Sequence, residues 1–171
     1  MDIRDHIRAV PDFPKSGIIF RDITPVMENP VAYQAALAGL SELIAEADFN
    51  SFAAVESRGF IFGGPLAVTL NKPMVLVRKA GKLPGKTHAV TYSLEYGEAT
   101  LEVHETSFKA GDRVMIVDDL LATGGTAAAT AQLVSEAGAT VAGFLFLVEL
   151  DFLKGRENLG SEAPVFSLVH Y

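Results

Sequence analysis

Five short apolar runs punctuate the chain: Phe52 to Val55, Pro73 to Val77, Val114 to Val117, Val141 to Val148 and Val165 to Val169. None is long enough to span a bilayer, and the longer ones lack the in-out alternation of a half-exposed strand. They read instead as strands of a parallel sheet buried on both faces. Helical patterns separate them. Pro30 to Phe49 carries Ala, Leu, Ile and Glu at helical spacing, with Asn29 as cap and Pro30 in the first turn. Ser57 to Leu70 and Ala127 to Gly138 follow strands directly, the second closing on a glycine. Such βαβ alternation predicts an α/β fold, a mostly parallel sheet flanked by helices.

Three stretches break the pattern. Ile3, Ile7 and Val10 have a helical spacing that ends at Pro11, so a short amphipathic helix is expected there. Asp12 to Pro25 is irregular but apolar, the kind of segment that shapes a pocket or lies as an arm over the core. Ala89 to Glu105 alternates in β fashion, with Gly97 and Glu98 expected to turn a hairpin whose second arm is Thr100 to His104, an excursion from the sheet. After the last long strand, Asp151 to Gly160 reads as a short helix fraying through glycines. No repeat or linker divides the 171 residues, so one domain is expected, with an N-terminal segment of about 1–28 and a core of about 30–171.

Composition narrows the partners. A net charge of -7 argues against broad nucleic-acid binding. The chain has no cysteine, which is compatible with a reducing cytosol, and its charged, interrupted N-terminus argues against a secretory leader; a cytoplasmic location is the expectation. Positive charge is local. Arg78, Lys79, Lys82 and Lys86 place four of the 14 Lys and Arg residues within nine positions, a candidate anion site.

The chemistry concentrates after Val117, where Asp118-Asp119-Leu120-Leu121-Ala122-Thr123-Gly124-Gly125-Thr126 joins strand to helix. A helix N-terminus presents unpaired N–H groups, two glycines allow close backbone approach and two threonine hydroxyls add donors, a fit for phosphate. Asp118 and Asp119 would repel that phosphate, so their natural partners are hydroxyls or a cation. Phosphate donors beside carboxylate acceptors point to a sugar phosphate; the plainer alternative is a strand-to-helix connection whose polar residues merely cap. Arg58, in a second strand-end loop, could hold a phosphate or stack on a flat base, or simply face solvent. Ala80-Gly-Lys-Leu-Pro-Gly-Lys-Thr87 mimics a nucleotide P-loop but leads into β pattern rather than helix, so a mobile basic loop suits it better.

Taken together, these motifs resemble a known family. The Asp118 to Thr126 stretch is similar to the phosphoribosyl pyrophosphate loop of type I phosphoribosyltransferases. Phe20-Arg-Asp-Ile-Thr-Pro25, Glu56-Ser-Arg-Gly-Phe60, Arg78-Lys-Ala-Gly-Lys-Leu-Pro-Gly85, Tyr92-Ser-Leu-Glu-Tyr-Gly97 and Val148-Glu-Leu150 resemble, in order, the adenine phosphoribosyltransferases. The resemblance implies a type I fold with a flexible β-hairpin and a small hood, and transfer of the 5-phosphoribosyl group to adenine with release of pyrophosphate. It implies that Ala122, Thr123, Gly124, Gly125 and Thr126 bind the 5-phosphate and that Asp118 and Asp119 hold the ribose hydroxyls. By the same likeness Ser57, Arg58, Arg78, Lys79 and Lys82 meet pyrophosphate, and Ile19, Phe20, Arg21, Arg58 and Leu150 lie near adenine. Glu95, before Tyr96 on the mobile hairpin, corresponds to an acid/base group; otherwise it is a solvated hairpin carboxylate. A cis peptide at Glu56–Ser57, Mg²⁺ carried by the substrate with no direct protein ligand, and a homodimer without membrane attachment are also implied. The alternatives are another purine as acceptor, or a regulator that binds phosphoribosyl pyrophosphate without catalysis.

Overall fold

The buried apolar runs pair as parallel strands at the centre of a seven-stranded sheet. The computed structural model describes residues 1–94 and 97–171. In chain order the elements are β1 (Arg8–Pro11), β2 (Ile19–Asp22), α1 (Thr24–Glu28), α2 (Pro30–Leu43), β3 (Ser51–Val55), α3 (Gly59–Thr69) and β4 (Met74–Lys79). There follow β5 (Thr87–Leu94), β6 (Gly97–His104), β7 (Arg113–Leu121), α4 (Gly125–Glu136), β8 (Thr140–Glu149) and β9 (Val165–His170). The sheet order is β5-β6-β4-β3-β7-β8-β9, with β4-β3-β7-β8-β9 parallel and the β5–β6 pair antiparallel.

Both faces of the sheet are covered, which explains the unbroken apolar runs. Phe52, Met115, Val117, Leu145 and Leu147 pack on one side with α2, α3 and the N-terminal Ile3, Ile7, Ile23 and Val26. Ala53, Ile116, Phe144 and Phe146, each one residue out of step, pack on the other side with α4 and the apolar positions of β5 and β6. Asn29 caps α2 as expected, its side chain accepting from the Val31 and Ala32 N–H groups. Pro65 lies inside α3 and cannot donate to the Ile61 carbonyl one turn back; the Tyr33 hydroxyl of α2 donates to that carbonyl instead.

Several boundaries differ from the sequence reading. The N-terminal helix shrinks to a 3-10 turn, Ile3–His6, after which the chain becomes β1 and pairs antiparallel with β2, so part of the irregular segment is a strand. The hairpin is no excursion: β6 pairs with β4 at Arg78↔Glu102 and Lys79↔Leu101 and extends the main sheet. Gly97 and Glu98, expected to turn the hairpin, lie instead on its second arm, paired with Leu94 and Ser93. β7 runs on to Leu121, which puts Asp118 and Asp119 on the strand rather than in the loop. The 151–160 tail forms two 3-10 turns, Asp151–Leu153 and Gly155–Leu159, instead of a frayed helix.

Strand order fixes the location of the site. From β3 the chain crosses through α3 to β4 on one side, whereas from β7 it crosses through α4 to β8 on the other. The carboxyl ends of the adjacent strands β3 and β7 therefore diverge into two loops with a crevice between them, the place where open α/β sheets bind ligands.

Candidate active site

A cavity of 370 Å³ occupies that crevice. One wall is Glu56, Ser57 and Arg58 from the β3 end, joined by Lys79 at the end of β4; the opposite wall is the unbroken run Asp118 to Ala127. Tyr92, Leu94, Ala99 and Leu101 of the β5–β6 pair cover the side. The fold can bring the walls close because Gly59 opens α3. A β-carbon there would stand 2.7 Å from the Val117 carbonyl oxygen and 3.1 Å from Asp118 Oδ1. The Glu56–Ser57 peptide is cis, as the family resemblance implied.

Asp118 and Asp119 form an acidic pair with unequal compensation. Asp119 is buried at 4% exposure and accepts from Arg58 Nε at 2.9 Å. Asp118 Oδ1 accepts the Asp119 N–H at 2.8 Å. Burial, reinforced by the Asp119 charge, raises the Asp118 carboxyl well above its ordinary 3.8. Burial also raises Asp119, against the pull of Arg58. We place the more readily held proton on Asp118, because the guanidinium sits directly on its neighbour. Such a pair is suited to accepting hydrogen bonds from ligand hydroxyls, which would restore the solvation that burial removes.

The anion-binding loop has the geometry that its glycines foreshadow. Gly124 is the N-cap of α4 at φ 85°, and the first turn of the helix opens into the cavity. The side of Gly124 where a β-carbon would project is filled by the Gly155 carbonyl and by Asn158 Cβ at 3.3 Å. Gly155 in turn abuts the Ala122 carbonyl and Leu121. The 155–158 turn is thus packed directly beneath the loop. Asn158 Nδ2 donates to the Thr123 carbonyl at 2.6 Å, and Arg156 clamps the turn to Glu149 at the end of β8 with bonds of 2.6 and 2.7 Å. On the cavity side, Tyr92 Oη and Thr126 Oγ1 lie 3.0 Å apart and tie β5 to the loop.

The basic residues are less available than their spacing suggests. Lys79 lines the cavity, but Arg78 Nε and Lys82 Nζ bond the Glu56 carboxylate at 3.2 and 2.6 Å, and the Lys79 N–H donates to it at 2.9 Å. Burial opposes ionisation of Glu56, yet the Lys82, Lys79 and Arg78 bonds outweigh it and hold the carboxyl below its ordinary range. The parallel β3–β4 register brings these groups together, with Val55 opposite Val77. Glu56 was named only within the Glu56 to Phe60 motif and not as a site residue; its signal is a carboxylate immediately before the Ser57-Arg58 loop.

Ser57, Arg58, Lys79, Asp118, Asp119 and the Ala122 to Thr126 loop line the one cavity, while Arg78 and Lys82 bond Glu56 and do not line it. Phe20 stands with its ring 6.0 Å from the Arg58 guanidinium carbon and edge-on to Phe13. Arg21 stacks over the Tyr171 ring at 3.7 Å. Ile19 is exposed, and Leu150 packs against the core on the α2–α3 side of the sheet. Glu95 and Tyr96 lie outside the described residues. Tyr92 opens the Tyr92 to Gly97 motif but was not expected to reach the loop, and no local pattern marks Gly155 or Asn158.

One further acidic group, Glu149, Asp151 and His170, has ligand atoms within 4.8 Å of one another. It does not line the cavity, and Glu149 is already taken by Arg156 and Ser167. Burial disfavours the Glu149 charge, but those bonds prevail and lower its carboxyl below the ordinary value of 4.5.

Comparison with known proteins agrees with this geometry. The family described as "Phosphoribosyl transferase domain" matches residues 29–167. An adenine phosphoribosyltransferase of Kosmotoga olearia is 52% identical over the whole of both chains. The crystal structure of adenine phosphoribosyltransferase from Thermoanaerobacter pseudethanolicus superposes with a TM-score of 0.95 at 47% identity, covering 99% of this chain and 98% of that one. The Saccharomyces cerevisiae enzyme, solved with adenine and an imino-altritol bisphosphate, superposes at 0.90 and 42% identity, over 97% of this chain and 96% of its own. Among the described residues, no helix is long and apolar enough to cross a membrane.

Proposed function

This chain belongs to the phosphoribosyltransferase family, with the adenine phosphoribosyltransferases as its relatives along its full length, and from that premise we infer how its site works. It transfers the 5-phosphoribosyl group of phosphoribosyl pyrophosphate to adenine, giving AMP and pyrophosphate, a purine-salvage reaction. The observation that carries the chemistry is the meeting, in one cavity, of a glycine-hydroxyl loop at a helix N-terminus with an aspartate pair, one buried and one half-buried, on the strand that feeds it.

In this reading the backbone N–H groups and hydroxyls of Ala122 to Thr126 hold the 5-phosphate, and the α4 dipole favours its charge. Asp118 and Asp119 accept from the ribose 2- and 3-hydroxyls. As the bond to pyrophosphate breaks, positive charge grows on the ribose ring. Two carboxylates fixed nearby in a partly dry crevice stabilise that charge more than they stabilise the ground state. Ser57, Arg58 and Lys79 face the departing pyrophosphate, and Lys82 and Arg78 reach it once it displaces their hold on Glu56. Adenine stacks near Phe20 and Arg58, with Ile19, Arg21 and Leu150 around it. Glu95 exchanges the proton of the purine nitrogen as the glycosidic bond forms, with Tyr96 beside it in the mobile loop.

Mg²⁺ fits this site as a passenger of the substrate. Asp119 is committed to Arg58, and Glu56 to Lys82 and Arg78, which leaves, among the described residues, no set of cavity carboxylates shaped as a cage. An ion that prefers phosphate oxygens and water would be held by pyrophosphate and the ribose hydroxyls that Asp118 and Asp119 orient. When bound, it neutralises the leaving diphosphate. By family resemblance residues 1–28 act as the hood over the base, 30–171 as the catalytic core, and the enzyme works as a homodimer; the cysteine-free composition suits the cytoplasm.

The test is direct. Purified protein with Mg²⁺ and phosphoribosyl pyrophosphate should form AMP from adenine far faster than it forms the corresponding nucleotides from hypoxanthine or guanine. Faster IMP or GMP formation would reassign the acceptor, and a folded protein that bound phosphoribosyl pyrophosphate without turnover would be a regulator rather than an enzyme.

A further inference from the structure

We infer that Asn158 is a positioning residue for the 5-phosphate site, fixing the orientation of the Thr123–Gly124 peptide from outside the cavity. The inference rests on the assignment of the 122–126 loop to phosphate binding. A trans peptide carries its C=O and N–H on opposite edges. Asn158 Nδ2 draws the Thr123 carbonyl toward the 155–158 turn at 2.6 Å, which directs the Gly124 N–H to the other edge, toward the ligand. Rotation of that one peptide would exchange an N–H for a carbonyl oxygen at the phosphate and turn a donor into a repulsive acceptor.

Tyr92 ties Thr126 on the cavity side and the Ala128 N–H holds the Gly124 carbonyl, but neither bonds the Thr123–Gly124 peptide itself. Gly124, at φ 85°, is the residue type with the freest backbone, and Gly125 follows it. Restraint therefore comes from beneath. The Gly155 carbonyl and Asn158 Cβ fill the space beside Gly124, and the Arg156 clamp to Glu149 anchors the turn that carries them. Asn158 is the member of this buttress whose side chain bonds the loop itself. It is exposed and makes no other side-chain hydrogen bond among the described residues, so its substitution tests the bond without opening the core.

Asn158→Ala removes the donor, and Asn158→Leu removes it while keeping similar bulk. Ribose 5-phosphate and Mg²⁺-pyrophosphate binding to the intact protein would be measured by titration calorimetry, alongside steady-state kinetics and thermal unfolding. Both variants should bind ribose 5-phosphate about tenfold more weakly, the worth of roughly one hydrogen bond. Pyrophosphate affinity, which depends on the β3 and β4 loops, should stay unchanged. The KM for phosphoribosyl pyrophosphate should rise with kcat nearly preserved, because a phosphate grip serves ground and transition states alike. Wild-type affinity for ribose 5-phosphate in both variants would overturn the inference. So would equal weakening of both ligands with a lowered melting temperature, which marks a general structural defect. Failure of the unsubstituted protein to bind ribose 5-phosphate would instead remove the phosphate-loop assignment, and the role of Asn158 with it.

Discussion

Replacing Asp118 by Asn should make the protein more stable and nearly inactive. The aspartate pair sits on the strand end with one guanidinium between two carboxylates, and Arg58 bonds Asp119. Asp118 Oδ1 accepts the Asp119 N–H, a role that an Asn carbonyl oxygen can still fill. The two carboxyls are close enough to hydrogen-bond to each other, and at an effective dielectric of about 20 two unit charges about 4 Å apart repel by about 4 kcal/mol. Arg58, whose side chain is 45% exposed, offsets part of that. A net gain of about 1–2 kcal/mol follows, the size seen when functional sites are relieved of strain, and for a chain of this length it raises Tm by about 3–6 °C. The pH dependence carries the sign. The Asp118 carboxyl is raised in the fold, first by burial and then by the Asp119 charge. The folded state is therefore penalised at pH values above the raised pKa and escapes the penalty below the ordinary 3.8, where both states are protonated. Urea unfolding of both proteins at pH 7.5 and in mild acid should show the advantage of the Asn variant shrinking as pH falls. Turnover should drop at least about a hundredfold at pH 7.5, since an amide accepts from the ribose hydroxyls less strongly than a carboxylate. A variant no more stable than wild type at pH 7.5, or one whose advantage is the same in acid, would refute the charge argument.

Two other perturbations probe the supports of the loop. Gly124→Ala combines a left-handed backbone with a β-carbon driven into the Gly155 carbonyl; a loss of about 3 kcal/mol in urea unfolding is expected from strain and overpacking together, and a loss under about 1 kcal/mol would show that the 155–158 turn moves aside freely. Arg156→Ala strips the clamp from Glu149, which is 4% exposed, and should cost about 2 kcal/mol at neutral pH after allowance for the half-exposed arginine. Because the folded pKa of Glu149 is lowered, that contribution is present above the ordinary 4.5 and disappears as pH falls through the depressed value, so denaturation of the variant and wild type should converge in acid.

The strands of the core were legible because burial on both sheet faces leaves an unbroken apolar signature, and the helices because Asn29 and the glycine after α4 mark their ends. The N-terminal β1–β2 pair was not legible. Ile3, Ile7 and Val10 have helical spacing, but Arg8 to Pro11 finds a strand partner at 19–22, and tertiary pairing overrides a weak local preference. The hairpin was visible by its alternation, yet its attachment to β4 depends on a register between distant segments that no window of sequence contains.

The same division runs through the site. The sequence by itself determined the chemistry of the Asp118 to Thr126 run: residue types that accept hydroxyls followed by residue types that donate to phosphate, in a context that opens a helix. Hydrogen-bonding capacity and backbone freedom are local properties, written residue by residue. Tertiary structure alone decided which partners those groups meet. The β3–β7 adjacency sets Arg58 on Asp119, the β3–β4 register gives Arg78 and Lys82 to Glu56, and a turn puts Asn158, 35 residues downstream of Thr123, under the phosphate loop. Charge compensation and peptide orientation depend on distances of a few ångströms between remote segments, and those distances exist only once the sheet has formed.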